Sequence, residues 1–272
     1  MPASAEARIG GRTRLAGVIG WPVEHSLSPA IHNAAFAAAG LDWVYVPLPV
    51  EPDGLQDALV GLAPLGFAGV NVTMPHKTEA AELIERLSED AALLRAVNTI
   101  HVVGDRLEGH NTDVGGFDRF LRRDAGFDPA GRSALLYGAG LGRLAVVARS
   151  EATTGGLRAI AATLGVPLQI VDPADAAGRR FDLVVNATPV GGDAQPDHRS
   201  HPDLDPDVLV VDLLYDPPST ALQRRARAAG ATVFGGIGLL VEQAALSFEL
   251  WTGTPAPLEV MSAAALAGLA ER

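Results

Sequence analysis

Phe67-Ala68-Gly69-Val70-Asn71-Val72-Thr73-Met74-Pro75-His76-Lys77 is the stretch on which the fold turns. Its apolar start, Phe67 to Val70, reads as a short buried strand. Pro75 stops the strand, and a helical pattern begins at once, with Ala80, Leu83, Ile84 and Leu87 recurring at spacings of three and four. A buried strand that hands over to a helix is the unit of an α/β fold, and that handover is where such folds place their ligands. Thr73 and Lys77 sit there. Lys77 is also the only lysine; the other 20 of the 21 basic residues are arginine. An amine can be tuned to exchange a proton near neutral pH, and a guanidinium cannot. Lys77 is therefore a candidate proton donor. The plain alternative is a surface lysine in an arginine-biased chain.

Composition narrows the classes. The 272 residues suit two modest domains or one large one, and with 48% hydrophobic and 19% charged residues a sizeable core can be buried. A net charge of −11 argues against a nucleic-acid or anionic-membrane surface, though not against a local basic pocket for a phosphate. The absence of cysteine excludes disulfides, thiolate metal sites and cysteine nucleophiles, and no metal is expected. Met1 to Arg14 has no apolar core of signal-peptide length, and no later run is long and apolar enough to span a membrane. A cytoplasmic location is the expectation.

Outward from the central stretch, Leu15 to Gly20 reads as a first strand and Trp21 to Pro29 as a loop that opens a helix. Ser28 and Pro29 fit the N-cap and first helical position. Ser26 adds a second hydroxyl near that helix start, a combination suited to a small polyol or carboxylate. Trp43 to Leu48 is a second strand, and Asp53 is expected to cap a helix running to Leu65. Ser88 caps a further helix, Ala96 to Ile100 reads as a strand, and Gly104-Asp105 turns a hairpin. Asn111-Thr112-Asp113 then enters a helix, where Asp113 fits equally as a simple N-cap.

These residues carry a resemblance. Ser26-Leu27-Ser28-Pro29, Asn71 to Lys77, Ala96-Val97-Asn98-Thr99 and Asn111-Thr112-Asp113 occur in the order and spacing of the shikimate dehydrogenase family, and Gly238-Leu239-Leu240-Val241-Glu242-Gln243-Ala244 resembles its closing signature. The likeness runs from about Leu15 to Ala270, and five ordered motifs are far more specific than a lone glycine pattern. It implies reversible reduction of 3-dehydroshikimate by NADPH, with Lys77 and Asp113 as the catalytic pair. Ser26, Ser28, Thr73, Asn98 and Gln243 would hold the substrate, with Tyr215 nearby. Tyr215 fits packing equally. The implied architecture is an N-terminal α/β substrate domain, 1–118 with 237–272, and a Rossmann-like dinucleotide domain, 119–236. Quinate or aminoshikimate dehydrogenases are the close alternatives. The residue types suit the reaction: lysine can protonate a developing alkoxide, and Ser, Thr, Asn and Gln bind a polyol without fixed charge.

The second half departs from the pattern. Ser133 to Tyr137 reads as a strand, and Gly138-Ala139-Gly140 opens like a dinucleotide-binding turn. Leu144 to Ser150 already reads as the next strand. Six residues separate Tyr137 from Leu144, whereas a parallel crossover with its helix takes at least ~10–12. The nucleotide domain is thus expected to lack its first crossover helix, and the glycine-rich link suggests an antiparallel hairpin instead. A non-catalytic shikimate-binding protein is the alternative that this gap motivates. Arg149-Ser150 follows the second strand, where the family's NADP-binding members carry an arginine for the 2′-phosphate; an ordinary exposed arginine is the other reading. Asn186-Ala187-Thr188-Pro189 resembles the family's cofactor-edge loop, and by the same resemblance Leu213 and Gly236 lie near the nicotinamide. Gly191 to Asp207 is polar and proline-bearing, and reads as a mobile loop.

Overall fold

The computed structural model describes residues 9–137, 144–147, 151–165, 167–171, 173–191, 195–197, 199, 201–215 and 219–271. The chain divides into two compact units, Met1–Arg119 with Leu239–Arg272, and Phe120–Gly238.

The first unit begins β1 (Arg14–Gly20), α1 (Ser28–Ala38), β2 (Trp43–Pro49), a 3₁₀ turn (Pro52–Gly54), α2 (Leu55–Leu62), β3 (Phe67–Val72), α3 (Lys77–Leu83) and β4 (Arg86–Leu87). It continues α4 (Glu89–Leu94), β5 (Thr99–Val103), β6 (Arg106–His110) and α5 (Thr112–Arg119). The strands form one sheet in the order β2-β1-β3-β5-β6-β4. β1 runs parallel to β2 and β3, and β5 runs antiparallel to both β3 and β6. One face is covered by α2, α3 and α4 through Leu55, Leu59, Val70, Val72, Ala80 and Ile100. The other carries an aromatic cluster: His32, Phe36, Tyr45, Phe248 and Trp251. Gly69 is required beneath it, because a Cβ there would fall 2.2 Å from Trp251 Nε1.

Local expectations are adjusted in four places. Leu27, not Ser28, occupies the N-cap of α1, and no side chain caps that helix; instead the Ser26 hydroxyl accepts the Ser28 N–H at 3.2 Å. Asp53 lies inside the 3₁₀ turn without a capping bond, and α2 ends at Leu62 rather than Leu65. α3 stops at Leu83, because Ile84 turns extended and Leu87 joins the edge strand β4 beside β6. The strand expected from Ala96 begins at Thr99, since Val97 N–H and Asn98 N–H are taken by the carbonyls of Lys77 and His110. The Gly104-Asp105 hairpin forms, with Gly104 at φ +65°.

The second unit holds β7 (Ala134–Tyr137), β8 (Leu144–Val147), α6 (Glu151–Thr163), β9 (Leu168–Val171), β10 (Leu183–Asn186), β11 (Leu209–Asp212), α7 (Ala221–Ala228) and β12 (Thr232–Gly235). Its sheet is parallel throughout, in the order β12-β11-β10-β7-β8-β9. Leu135, Tyr137, Val184 and Val210 form its buried core with Leu222 and Ala226 of α7. After this sheet the chain returns through α8 (Ile237–Thr252) and α9 (Leu258–Ala270), and α9 packs on α1.

The antiparallel hairpin expected after Tyr137 is overturned. β7 and β8 pair in parallel, Ala134 with Leu144 and Tyr137 with Val147. The connection has to return about three residues, ~10 Å, along the strand and step ~4.8 Å sideways. Six intervening residues reach beyond ~20 Å. A parallel crossover thus needs a helix only to pack the sheet, not to span the distance. Residues 138–143 themselves lie outside the described set.

Candidate active site

Register places the predicted residues of the first unit at one edge of its sheet. β1 and β3 are parallel neighbours, so the loop carrying Ser26 and Ser28 and the loop carrying Thr73 leave from the same end. Gly20 and Thr73 approach so closely that a Cβ on Gly20 would lie 2.4 Å from the threonine methyl. β5 is antiparallel to β3 with Thr99 opposite Asn71, so Asn98 enters at that end too. His110 of β6 pairs with Thr99, and α5 starts there, bringing Asp113 to the same edge.

At this edge Lys77 Nζ donates to Asp113 Oδ2 at 2.7 Å. The lysine side chain is 29% exposed and the aspartate 40%, so the pair is open to a solute. Such an exposed ion pair contributes little to stability; its value lies in geometry. Asn98 Nδ2 donates to the other carboxylate oxygen, Oδ1, at 2.8 Å. The Asn98 amide cannot be reversed, because its Oδ1 accepts the Thr112 backbone N–H at 2.7 Å. Asp113 N–H in turn donates to Asn111 Oδ1 at 3.2 Å, and Asn111 Nδ2 donates to the Ala96 carbonyl at 2.9 Å. The carboxylate is therefore fixed from both sides, with one oxygen aimed at the ammonium.

Beneath the pair lies a buried polar web that the sequence reading did not single out. Asn71 Nδ2 lies within hydrogen-bond distance of Thr99 Oγ1 and Ser247 Oγ, and its Oδ1 accepts from the Tyr45 hydroxyl at 2.7 Å. Burial raises the Tyr45 pKa well above the phenol range, opposed in part by a hydrogen bond with Ser28. His32 stacks on Tyr45 with ring centroids 4.4 Å apart. The signal for this web is a set of short polar residues at positions whose pattern predicts burial: Asn71 in β3, Thr99 in β5, Ser247 in α8. Gln243 sits in the second turn of α8, and its Nε2 donates to the Leu240 carbonyl at 2.7 Å. Gly116 lets α8 approach α5, because a Cβ there would lie 2.7 Å from the Gln243 backbone nitrogen.

The remaining predicted residues belong to the second unit. Thr188 follows β10, and its hydroxyl donates to Asn186 Oδ1 at 2.7 Å. Leu213 and Gly236 do come together: a Cβ on Gly236 would lie 2.1 Å from the Leu213 carbonyl oxygen. Tyr215 is half-buried just after β11. Gly138, Ala139, Gly140, Arg149 and Ser150 lie outside the described residues.

The stretch from Gly191 to Asp207, expected to be mobile, contains an anchor. Arg199 binds Asp197 through Nε at 2.9 Å and Nη2 at 2.8 Å, and its guanidinium lies 4.3 Å from the Tyr137 ring centroid. Its Nη1 donates to Asn186 Oδ1 and Thr188 Oγ1, both at 3.1 Å. Burial pushes the Asp197 carboxyl up, but hydrogen bonds from Arg199 and His201 outweigh it and hold the group well below the ordinary carboxylate range. A two-residue spacing of Asp and Arg in a polar loop gives no sequence signal for this.

Among the described residues no helix is long and apolar enough to cross a membrane, and no cluster of three or more His, Asp or Glu side chains is arranged to hold a metal.

The family profile described as the shikimate dehydrogenase substrate binding domain matches residues 18–100, and that of the shikimate 5′-dehydrogenase C-terminal domain matches residues 236–266. The shikimate dehydrogenase (NADP(+)) of Methanopyrus kandleri is 41% identical over 97% of this chain and 98% of that protein. That alignment runs over 286 positions but takes in only 97% of the 272 residues, so about 22 positions have no residue here. The deficit is of the size of a helical crossover. Two solved structures have the same fold. Shikimate 5-dehydrogenase of Listeria monocytogenes, in complex with shikimate and NAD, is 30% identical with a TM-score of 0.84, covering 93% of this chain and 96% of that one. The enzyme of Thermus thermophilus, in complex with NADP(H) and shikimate, is 32% identical with a TM-score of 0.81, covering 94% and 99%. Ordered motifs, the two sheets and a full-length relative agree: the chain belongs to the shikimate dehydrogenase family.

Proposed function

We propose that the protein catalyses the reversible, NADP-dependent reduction of 3-dehydroshikimate to shikimate. In this reading the first unit holds the substrate and the second the cofactor. The observation that carries it is the Lys77–Asp113 pair, 2.7 Å apart and steered by Asn98, at the sheet edge that also bears Ser26, Ser28 and Thr73. With Gln243 those groups supply hydroxyl and amide partners for a polyol acid without adding fixed charge; Tyr215, of the second unit, is a substrate partner only by the family resemblance. NADPH, when bound, supplies the hydride that reduces the ketone. Lys77 donates a hydrogen bond to the carbonyl oxygen, stabilises the negative charge as it develops, and passes its proton to form the hydroxyl. Asp113 holds the amine in place for the transfer. Lys77 regains a proton from solvent, to which its side chain is open.

The second unit fits a dinucleotide in its topology. Strand order reverses between β7 and β10, and ligands of open α/β sheets bind outside the carboxyl ends of strands at such a point. Gly138, Ala139 and Gly140 follow β7 and would face the pyrophosphate; Arg149 and Ser150 would hold the 2′-phosphate; Thr188, Leu213 and Gly236 would border the nicotinamide. Six residues separate β7 from β8, too few for a helix with its two turns, so the sequence spacing gives no helix there to direct amides at the pyrophosphate. Poor NADPH affinity is the expected consequence.

An NADP-linked absorbance assay with shikimate, run beside quinate, tests the proposal. Shikimate-dependent formation of NADPH, faster than with quinate, is expected. A preference for quinate would overturn the substrate. Calorimetric binding of shikimate without turnover would favour the non-catalytic alternative.

A further inference from the structure

We infer that Ser247, on α8, is a positioning residue for the Lys77–Asp113 pair, acting through Asn98; the inference rests on the proposed reaction. Its side chain is fully buried and meets β3, β5 and α5 as well as its own helix. Ser247 Oγ lies 2.9 Å from Asn71 Nδ2, 2.9 Å from Thr99 Oγ1, 3.3 Å from Thr112 Oγ1 and 3.1 Å from the Gln243 carbonyl. These contacts join β3, β5, α5 and a residue 148 positions away in sequence from Thr99.

Counting hydrogens gives the web a direction. The Gln243 carbonyl can only accept, so the Ser247 hydroxyl donates to it. The Asp113 carboxylate accepts, so Asn98 Nδ2 donates one hydrogen there and the other to Thr112 Oγ1 at 3.0 Å. The Thr112 hydroxyl, having accepted, shares its own hydrogen between Asn98 Oδ1 at 3.2 Å and Ser247 at 3.3 Å. Asn71 Nδ2 gives one hydrogen to Ser247 and one to Thr99, and Thr99 donates to Asn98 Oδ1 at 3.0 Å. Every hydrogen in this circuit then has an acceptor. Ser247 is the sink: it accepts from Asn71, shares the Thr112 hydrogen with Asn98, and releases one hydrogen to a helix carbonyl.

Without that hydroxyl, Asn71 Nδ2 keeps Thr99 Oγ1 at 3.0 Å and the Asn98 carbonyl at 3.2 Å, and Thr112 Oγ1 keeps Asn98 Oδ1 at 3.2 Å, so the hydrogens that Ser247 had accepted turn to Asn98. Asn98 Oδ1, 3.2 Å from the Thr112 hydroxyl, already takes the Thr112 N–H and the Thr99 hydroxyl, so it would carry the Thr112 hydrogen alone. Rearrangement therefore falls on Asn98, and Asn98 sets the plane of the Asp113 carboxylate. The Gln243 carbonyl keeps its helical partner, so the substrate-binding side of α8 is little disturbed.

The test compares Ser247→Ala with Ser247→Cys, which refills the volume but accepts and donates weakly. Both variants are expected to lose ~10-fold or more in kcat, with KM for shikimate changed less than about threefold, because a misplaced catalytic group affects the chemical step. Unchanged kcat in Ser247→Ala would overturn the inference. So would full recovery in Ser247→Cys, since packing alone would then account for the loss. Failure of the wild-type protein to turn over shikimate would instead overturn the proposed function. In that case hydrogen exchange of the Asn98 side-chain amide, read by nuclear magnetic resonance, decides the role: faster exchange in Ser247→Ala supports it, and an unchanged rate refutes it.

Discussion

Acidification should destabilise the first unit most strongly through His32, with His101 and His110, whose pKa values burial also lowers, adding in the same direction. The His32 ring is fully buried, stacked on Tyr45 and 5.3 Å in centroid distance from Trp251. Burial pulls its pKa from 6.5 down to about 3; Asn71 opposes that shift in part, although neither ring nitrogen makes a hydrogen bond of good geometry. The unfolded chain takes up a proton as pH falls below about 6.5, and the folded chain refuses it until about pH 3. Between those values the unfolded state binds more protons, so stability is complete above the window and is lost as pH falls. Integrated from about pH 7 to about pH 5, the loss from this group alone is about 2 kcal/mol, approaching ~5 kcal/mol across the whole window. Trp21, Trp43 and Trp251, the only three tryptophans, all belong to the first unit, so fluorescence-monitored urea unfolding reports it selectively. The comparison is between the wild type and His32→Gln at both pH values. The variant should lose about 2 kcal/mol of the difference between them, whatever its absolute stability. Equal pH dependence in the two proteins would refute the reasoning.

Four further outcomes follow from the same geometry. Lys77→Ala should cost ~10²–10⁴-fold in turnover while shikimate still binds by calorimetry, since a general acid of this kind contributes that much; a wild-type rate would remove Lys77 from the role. Gly116→Ala should destabilise the first unit by ~1–3 kcal/mol and lower kcat, because its Cβ would lie 2.7 Å from the Gln243 backbone; unchanged unfolding midpoint and kcat would show that α5 and α8 yield freely. Asp197→Asn should destabilise the second unit by ~3–5 kcal/mol, as expected when one partner of a buried pair is neutralised, and thermal denaturation by circular dichroism would show no shift if the anchor is dispensable. Inserting a helical crossover of ~14 residues after Gly140 should tighten NADPH by roughly two decades or more, given ~1.5–3 kcal/mol for each restored hydrogen bond to a charged group; equal calorimetric affinity with and without it would show that the glycine link suffices.

Much of the architecture is legible in the residues. Apolar runs such as Phe67–Val70 and Val208–Leu213 announce buried strands because sheets covered on both faces need apolar residues on both. Gly104-Asp105 announces its hairpin because a tight turn needs positive φ. The solitary lysine marks Lys77, and ordered motifs mark the family. Sequence also reveals the missing crossover, since six residues cannot hold a helix and its two turns.

Tertiary structure decides the rest. The link after Tyr137 closes a parallel pair because reach, not the usual crossover length, limits it, and β8 has a parallel partner on each side, β7 and β9. Ser247 and Thr99 are ordinary helix and strand residues in sequence, yet their hydroxyls lie 2.9 Å apart. Asp197 and Arg199 look like loop polarity and prove to be a buried anchor on Tyr137. Periodicity and turn chemistry are local, and a single strand of text carries them. A hydrogen-bond circuit is a property of atoms brought together from distant segments, and only the register of the folded sheet and the approach of α8 to α5 bring them there.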